Sequence, residues 1–275
     1  MTIALSPRTR RRTPLLTPYP DETDTAAAED FRREYGDDVT FAPVTVVMAA
    51  FNEEHTIGPV LRRIPASALG MPVSALVVVD GARDGTADAA REDGRAYVCD
   101  AAVNRGQGAA LRLGYELARA GGARYIVTTD ADGQYDIEEL DRLLKPLVDG
   151  RADFVTGSRT LGRQETNDVM RRAGVHVFAG LVSLLTGHRV TDTSFGLRAM
   201  RAQVTAAVTL EQPQYQSSEL LISTLARGFR VAELPMLMRV RAAGKSKKGN
   251  NVVYGARYCR VVLRTWWRER RLRAT

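Results

Sequence analysis

Histidine, cysteine and long apolar runs are what this 275-residue chain has least of. Its three histidines, His55, His176 and His188, are scattered and form neither a catalytic pair nor a metal-ligand spacing. Its two cysteines, Cys99 and Cys259, lie far apart in the sequence. That excludes a disulfide framework and a cysteine-held zinc site, and points to reducing, cytoplasmic surroundings. No run of about 18 apolar residues occurs, so nothing reads as a bilayer span. Arg8, Arg10, Arg11 and Arg12 are followed by proline and polar residues, so no secretory signal is read. A glycine-rich turn after the first apolar run is also missing. Phe51-Asn52-Glu53-Glu54 stands there, bulky and acidic, which argues against a dinucleotide-binding dehydrogenase.

The net charge of +7 is unevenly placed. Between Arg239 and Thr275 there are twelve Lys and Arg against one acid, Glu269, so the remainder of the chain is slightly acidic. A basic block of this kind meets phosphate groups, in nucleic acid, on an anionic membrane surface or on a phosphorylated ligand. Nucleic acid is not an expected partner.

Residues 1–40 are rich in Pro, Arg and acids without a sustained apolar period, and are read as a disordered arm. Residues 41–240 alternate strand and helix patterns. Val44–Ala50, Ala75–Val79, Tyr97–Cys99, Tyr125–Thr129 and Phe154–Thr156 read as strands, with helical spacings between them. This predicts an α/β fold, a Rossmann-like, mostly parallel sheet flanked by helices. Residues 241–275 read as a basic loop and an amphipathic helix. That helix, with Trp266 and Trp267, suits an interfacial anchor or a surface packed on the body equally well.

The chemistry concentrates at strand ends, where such sheets hold ligands. Tyr125-Ile-Val-Thr-Thr-Asp130-Ala131-Asp132-Gly-Gln134 runs from a buried strand into two carboxylates and an amide. In an extended segment Asp130, Asp132 and Gln134 would share a face, an oxygen-only set that suits a hard divalent cation bridging a diphosphate. Glu53, Asp80 and Arg159 also fall near strand ends. Such convergence of polar groups from distant positions is not something core packing requires.

These residues together resemble the nucleotide-sugar-dependent glycosyltransferases of the GT-A fold, family 2, most closely the polyprenyl-phosphate branch that includes dolichol-phosphate mannose synthases. The resemblance runs from about Val44 to Lys248. It rests on Ala49-Ala-Phe51-Asn52-Glu53, Val79-Asp80-Gly-Ala-Arg-Asp84-Gly85-Thr86, Asn104-Arg-Gly106-Gln107-Gly108, Asp130 to Gln134, Gly157-Ser-Arg159 and Arg241 to Lys247. It departs from the family's pattern at Ala49, Phe51, Val79 and Gln107, and at Val175 and Ala179, where asparagines often stand.

The resemblance implies inverting, metal-dependent transfer of a hexose from a nucleotide diphosphate sugar, of GDP-mannose or UDP-glucose type, to a polyprenyl phosphate. Alternatives are the same chemistry on a soluble acceptor, or a catalytically idle nucleotide-binding protein. It implies that Ala49, Phe51, Glu53, Val78 and Asp80 surround the base and ribose. Asp130, Ala131, Asp132 and Gln134 would serve the diphosphate, with Asp130, Asp132 and Gln134 on Mg2+ or Mn2+. Arg241 and Lys247 would close on the donor phosphates, while Arg159 and Arg171 or Arg172 would hold the acceptor phosphate. Asp132 and Arg159 would take part in catalysis, and Glu219 is the candidate base if the acceptor is a hydroxyl. The expected location is cytoplasmic, peripheral at the inner face of the plasma membrane.

Overall fold

The computed structural model of the chain describes residues 3–4, 20–165, 169–240 and 251–274. At its centre β2 (Val44–Ala50), β4 (Met71–Asp80), β5 (Ala96–Ala101) and β6 (Tyr125–Thr128) run parallel. Strand alternation sends Val46, Met48, Val77 and Val79 to one face, and Val47, Leu76 and Val78 to the other. Both faces are therefore apolar and both are covered, as a parallel sheet requires. α2 (Ile57–Arg62), α3 (Thr86–Glu92) and α5 (Leu140–Val148) pack on the first face. α4 (Gln107–Ala120) packs on the second, where Gly114 lets Val47 and Val78 approach its backbone.

The sheet continues through β7 (Phe154–Gln164), β8 (Arg198–Arg201) and β9 (Val231–Met238). Its order is β1-β9-β7-β8-β6-β2-β4, where β1 is Ile3–Ala4. β5 and the two-residue β3 (Ser67–Ala68) both pair with β4. β8 lies antiparallel between β6 and β7. The sequence reading did not mark this strand, because Arg198-Ala-Met-Arg201 is short and has no β-branched run.

α6 (Val169–Thr186), α7 (Ala202–Ala207), α8 (Gln216–Ala226) and α9 (Asn251–Ala274) complete the chain. No described helix is long and apolar enough to cross a membrane.

One expected boundary differs from the structure, and one open alternative is decided by it. The arm read as disordered to residue 40 contains α1 (Glu22–Tyr35), which opens with a capping box between Asp21 and Asp24. Ala27, Ala28 and Phe31 form its buried stripe, and Phe31 packs against Phe41 and Tyr97. Only one large apolar residue carries that stripe, and the surrounding charges hid it. At the other end, α9 is docked on the body. Tyr258, Val261, Val262 and Thr265 are buried, and Trp266 Nε1 donates to the Leu185 carbonyl at 2.7 Å. Trp267, its neighbour, is 55% exposed. The helix therefore packs along one face and presents Trp267, Leu263 and several arginines outward.

Candidate active site

A cleft of about 520 Å³ opens beyond the C-terminal ends of β2, β4 and β6. Of the residues expected to bind ligand, Ala49, Phe51, Glu53, Asp80, Asp130, Ala131, Asp132, Gln134 and Arg159 all line it.

One wall is built by the turns after β2 and β4. Asn52 has φ of +53°, a left-handed conformation that asparagine tolerates, and its Oδ1 accepts from the Arg83 amide at 2.9 Å. The Glu53 amide donates to Thr86 Oγ1 at 2.8 Å, so the two turns hold each other. Asp80 is 2% exposed and accepts from the amides of Arg105 and Gly106, at 3.1 and 2.7 Å. Burial raises its pKa above the usual carboxylate range, and those amide bonds offset only part of the rise.

The floor is the segment after β6. The strand ends at Thr128, so Asp130, Asp132 and Gln134 lie in a turn and not in the extended run that alternation assumed. The turn nevertheless brings all three to the cleft. Asp130 Oδ1 accepts from Gln107 Nε2 at 2.8 Å. Asp132 is 4% exposed, and its Oδ1 accepts from the Gln134 amide at 3.1 Å. Gln134 Nε2 donates to the Arg239 carbonyl at 3.1 Å. Among the described residues no group of three or more His, Cys, Asp or Glu gathers as a metal cage. What the chain offers is two carboxylates and an amide oxygen. That set fits Mg2+ or Mn2+ when phosphate oxygens complete the shell, since hard cations take oxygen and are shared with phosphates.

Gly106 and Gly108 serve a different purpose from phosphate cradling. A Cβ at Gly108 would stand 1.9 Å from the Gln212 carbonyl oxygen, and one at Gly106 2.5 Å from that of Pro213. The glycines let the 212–216 segment close over the start of α4 and form another wall of the cleft.

Arg159 lines the same cleft. It lies inside β7, where the register with β9 shifts after Ser158, and not beyond the strand as the sequence pattern implied. Its Nε donates to Asp192 at 2.6 Å and its Nη2 to Ser194 at 3.0 Å. Burial works against its charge, but the Asp192 carboxylate together with Tyr135 and Tyr258 outweighs it and raises the guanidinium pKa. Asp192 is itself held by backbone: buried Glu233 accepts from the Thr191 and Asp192 amides at 2.9 to 3.0 Å. Burial keeps the Glu233 pKa raised in spite of these donors.

Among the cleft residues that sequence reasoning missed are Tyr215, Tyr254, Arg257 and Tyr258. Tyr215 takes φ of +62° at the start of α8, and its ring meets those of Tyr254 and Tyr258 with centroids 4.9 and 5.3 Å apart. Phe178 of α6 continues the aromatic wall, 4.1 Å from the Tyr258 ring. Burial pushes the Tyr258 hydroxyl up to about 12, so it stays a neutral donor. The one signal available was spacing: Tyr254, Arg257 and Tyr258 share a helical face. The sequence reading left open whether that helix packs on the body, and assigned these residues no part in the site.

Other expected residues are not brought in. Val78 is fully buried in the core against α4, because Val79 and Val77 take the other side of β4. Glu219 is 0% exposed and outside the cleft. It accepts from the amides of Glu211 and Gln212 and from Arg268 Nη1 at 2.8 Å, which makes it a structural acid and not a base facing substrate. Arg172 is exposed and does not line the cleft. The side chain of Arg171, and Arg241 and Lys247 entirely, lie outside the described residues.

A mostly parallel sheet flanked by helices, with paired carboxylates past one strand, is the GT-A architecture of glycosyltransferases. The chain belongs to the family described as Glycosyl transferase family 2, whose model matches residues 45–208. It is 36% identical to a dolichyl-phosphate hexose transferase of Haloferax volcanii, over 76% of this chain and 87% of that protein. It is 31% identical to a polyprenol monophosphomannose synthase of Mycolicibacterium smegmatis, over 75% of this chain and 82% of that one. A structure of glucosyl-3-phosphoglycerate synthase from Mycobacterium tuberculosis with Mn2+ and UDP-glucose superposes with a TM-score of 0.63 at 21% identity. It covers 90% of this chain and 84% of that chain, and shows a common fold.

Proposed function

We propose that this glycosyltransferase moves a hexose from a nucleotide diphosphate sugar to a polyprenyl phosphate, with inversion, at the cytoplasmic face of a membrane. The observation that carries the proposal is that one cleft gathers two chemistries. Asp80, Asp130 and Asp132 line it together with Arg159, Arg257 and several tyrosines. The carboxylates suit ribose hydroxyls and a metal-held diphosphate. The arginines and aromatic rings suit a phosphate that carries an apolar chain. The polyprenyl-phosphate relatives support the same acceptor class.

Mg2+ or Mn2+ bound by Asp130 and Asp132, with Gln134, would offset the diphosphate charge and stabilise it as a leaving group. Arg159, fixed by Asp192, orients one oxygen of the acceptor phosphate toward the anomeric carbon, and Arg257 adds a second positive charge nearby. The new bond forms between that oxygen and the anomeric carbon. The bond from the anomeric carbon to the diphosphate breaks, and nucleoside diphosphate leaves. An ionised phosphate needs no general base, in keeping with Glu219 lying off the cleft. Arg260, Arg264 and Arg271 beside exposed Leu263 and Trp267 suit peripheral contact with anionic lipid.

The test is transfer of radiolabel from UDP-glucose and GDP-mannose to undecaprenyl or dolichyl phosphate, read in the organic extract. Label is expected there, and Asp132→Ala or chelation should lower it by a factor of about 100 or more. Label confined to a water-soluble product would assign a soluble acceptor instead. Activity surviving both treatments would refute the metal-held diphosphate.

A further inference from the structure

α1 precedes the residues matched by the family model, yet it reaches the nucleotide end of the cleft. Asp24, 1% exposed, accepts through Oδ1 from Arg105 Nη1 and through Oδ2 from Arg112 Nη2 at 3.3 Å. Asp21 accepts from the same Arg105 nitrogen at 2.9 Å. Arg105 in turn belongs to the loop whose amides hold Asp80, and Asn104 Nδ2 donates to the Asp80 carbonyl at 2.9 Å.

The guanidinium of Arg105 therefore stands between two sets of carboxylates. Its Nε is 3.9 Å from Asp80 Oδ1, and among the described residues neither Nε nor Nη2 makes a hydrogen bond. Without Asp21 and Asp24, the nearest carboxylate for this cation is Asp80, across a low-dielectric gap where a unit charge pair attracts strongly. Closer pairing there would compete for the Asp80 oxygens, which already accept from the Arg105 and Gly106 amides. It would also drag the Asn104–Gly106 loop with the side chain.

We infer that α1 is a positioning element for donor binding: Asp24, with Asp21, holds Arg105 away from Asp80 and so keeps that carboxylate open to the nucleoside. This rests on the reading of Asp80 as part of a nucleotide site. Asp24 does not line the cleft, and its effect on Asp80 runs through Arg105. Its other bonds, to Arg112 and to the Asp21 amide, fasten α1 to α4 and cap its first turn. The remaining anchors of α1 are independent of it: Phe31 in the core, and the Tyr35 hydroxyl accepting from the Val98 amide at 3.1 Å.

The experiment compares full-length wild type, Asp24→Asn and Asp24→Asn/Arg105→Gln. Binding of UDP and of GDP, each with Mn2+, is measured by calorimetry, and amide hydrogen exchange is followed without nucleotide. For whichever nucleotide the wild type binds, Asp24→Asn should weaken binding about tenfold or more, and removing the Arg105 charge should restore most of it. A helix that merely stabilises the fold would give no such rescue. Exchange at the Arg105 and Gly106 amides should rise in Asp24→Asn while the β2 amides keep their protection. Unchanged exchange at Arg105 and Gly106, or a double variant as weak as the single one, would overturn the inference. Wild type that binds neither nucleotide would overturn the nucleotide reading of the cleft, and the exchange result would still decide whether Asp24 controls the loop.

Discussion

Arg268→Ala tests how α9 is held and whether Glu219 is structural. Arg268 Nη1 donates to Glu219 at 2.8 Å and lies 3.2 Å from Glu211. Its Nη2 donates to the Thr209 carbonyl, Ser223 and Glu269 at 3.0 to 3.1 Å. Removing one partner of a buried pair costs about 3–5 kcal/mol when the other charge is left unpaired. Here the loss should fall at the lower end. Glu269 keeps Arg227 at 3.2 Å, and Glu219 keeps its two amides. The burial-raised pKa of Glu219 also lets it take up a proton at modest cost. We expect about 3 kcal/mol, roughly 6–10 °C in Tm for a chain of this size. Urea denaturation followed by circular dichroism measures it, with the slope unchanged. Glu219→Gln, which keeps the amide contacts, should cost less and leave turnover within a few-fold of wild type. A loss below about 1 kcal/mol for Arg268→Ala would refute the buried network. Abolished transfer in a stable Glu219→Gln variant would return Glu219 to the chemistry.

Two further outcomes follow from close contacts and buried charge. In Gly196→Ala the new methyl would stand 2.5 Å from the Tyr135 ring and 2.7 Å from Asp130 Oδ2. It should cost about 1–3 kcal/mol in thermal melts and weaken Mn2+-dependent nucleotide binding; unchanged binding would mean that Asp130 has room to move. Glu233 titrates with a raised pKa in the folded state, chiefly from burial, so its stabilising contribution is complete below the ordinary glutamate pKa and is lost as pH rises through the raised one. Glu233→Gln should flatten that part of the fall in urea midpoint above the glutamate range, and an identical pH slope would contradict the assignment.

The parallel half of the sheet was legible because each strand announces itself by a run of β-branched residues, and each site residue follows such a run by a few positions. Asp80, Asp130 and Asp132 could be placed from that rule alone. Arg159 was found with its surroundings missing. Asp192 and Ser194 sit in a polar loop, and a loop's folding back to a distant strand leaves no periodic trace. Val78 was misplaced because alternation cannot say which face of a doubly covered strand meets ligand. α1 was hidden because its buried residues are few and interleaved with charge, and the same interleaving left a membrane anchor and a docked helix equally open for α9. Glu219 shows the converse, a carboxylate whose position suggested chemistry and whose partners are all structural.

The family match ends at residue 208, while Tyr215, Tyr254, Arg257 and Tyr258 all come after it. The cleft is therefore encoded in two consecutive blocks, the first carrying Asp80, Asp130, Asp132 and Arg159 and the second the three tyrosines and Arg257. Exchange of residues 209–274 between relatives would replace the tyrosines and Arg257 while leaving those carboxylates and Arg159 in place. Recombination near residue 208, in evolution or in the laboratory, would vary the aromatic lining over a constant set of strand-end carboxylates.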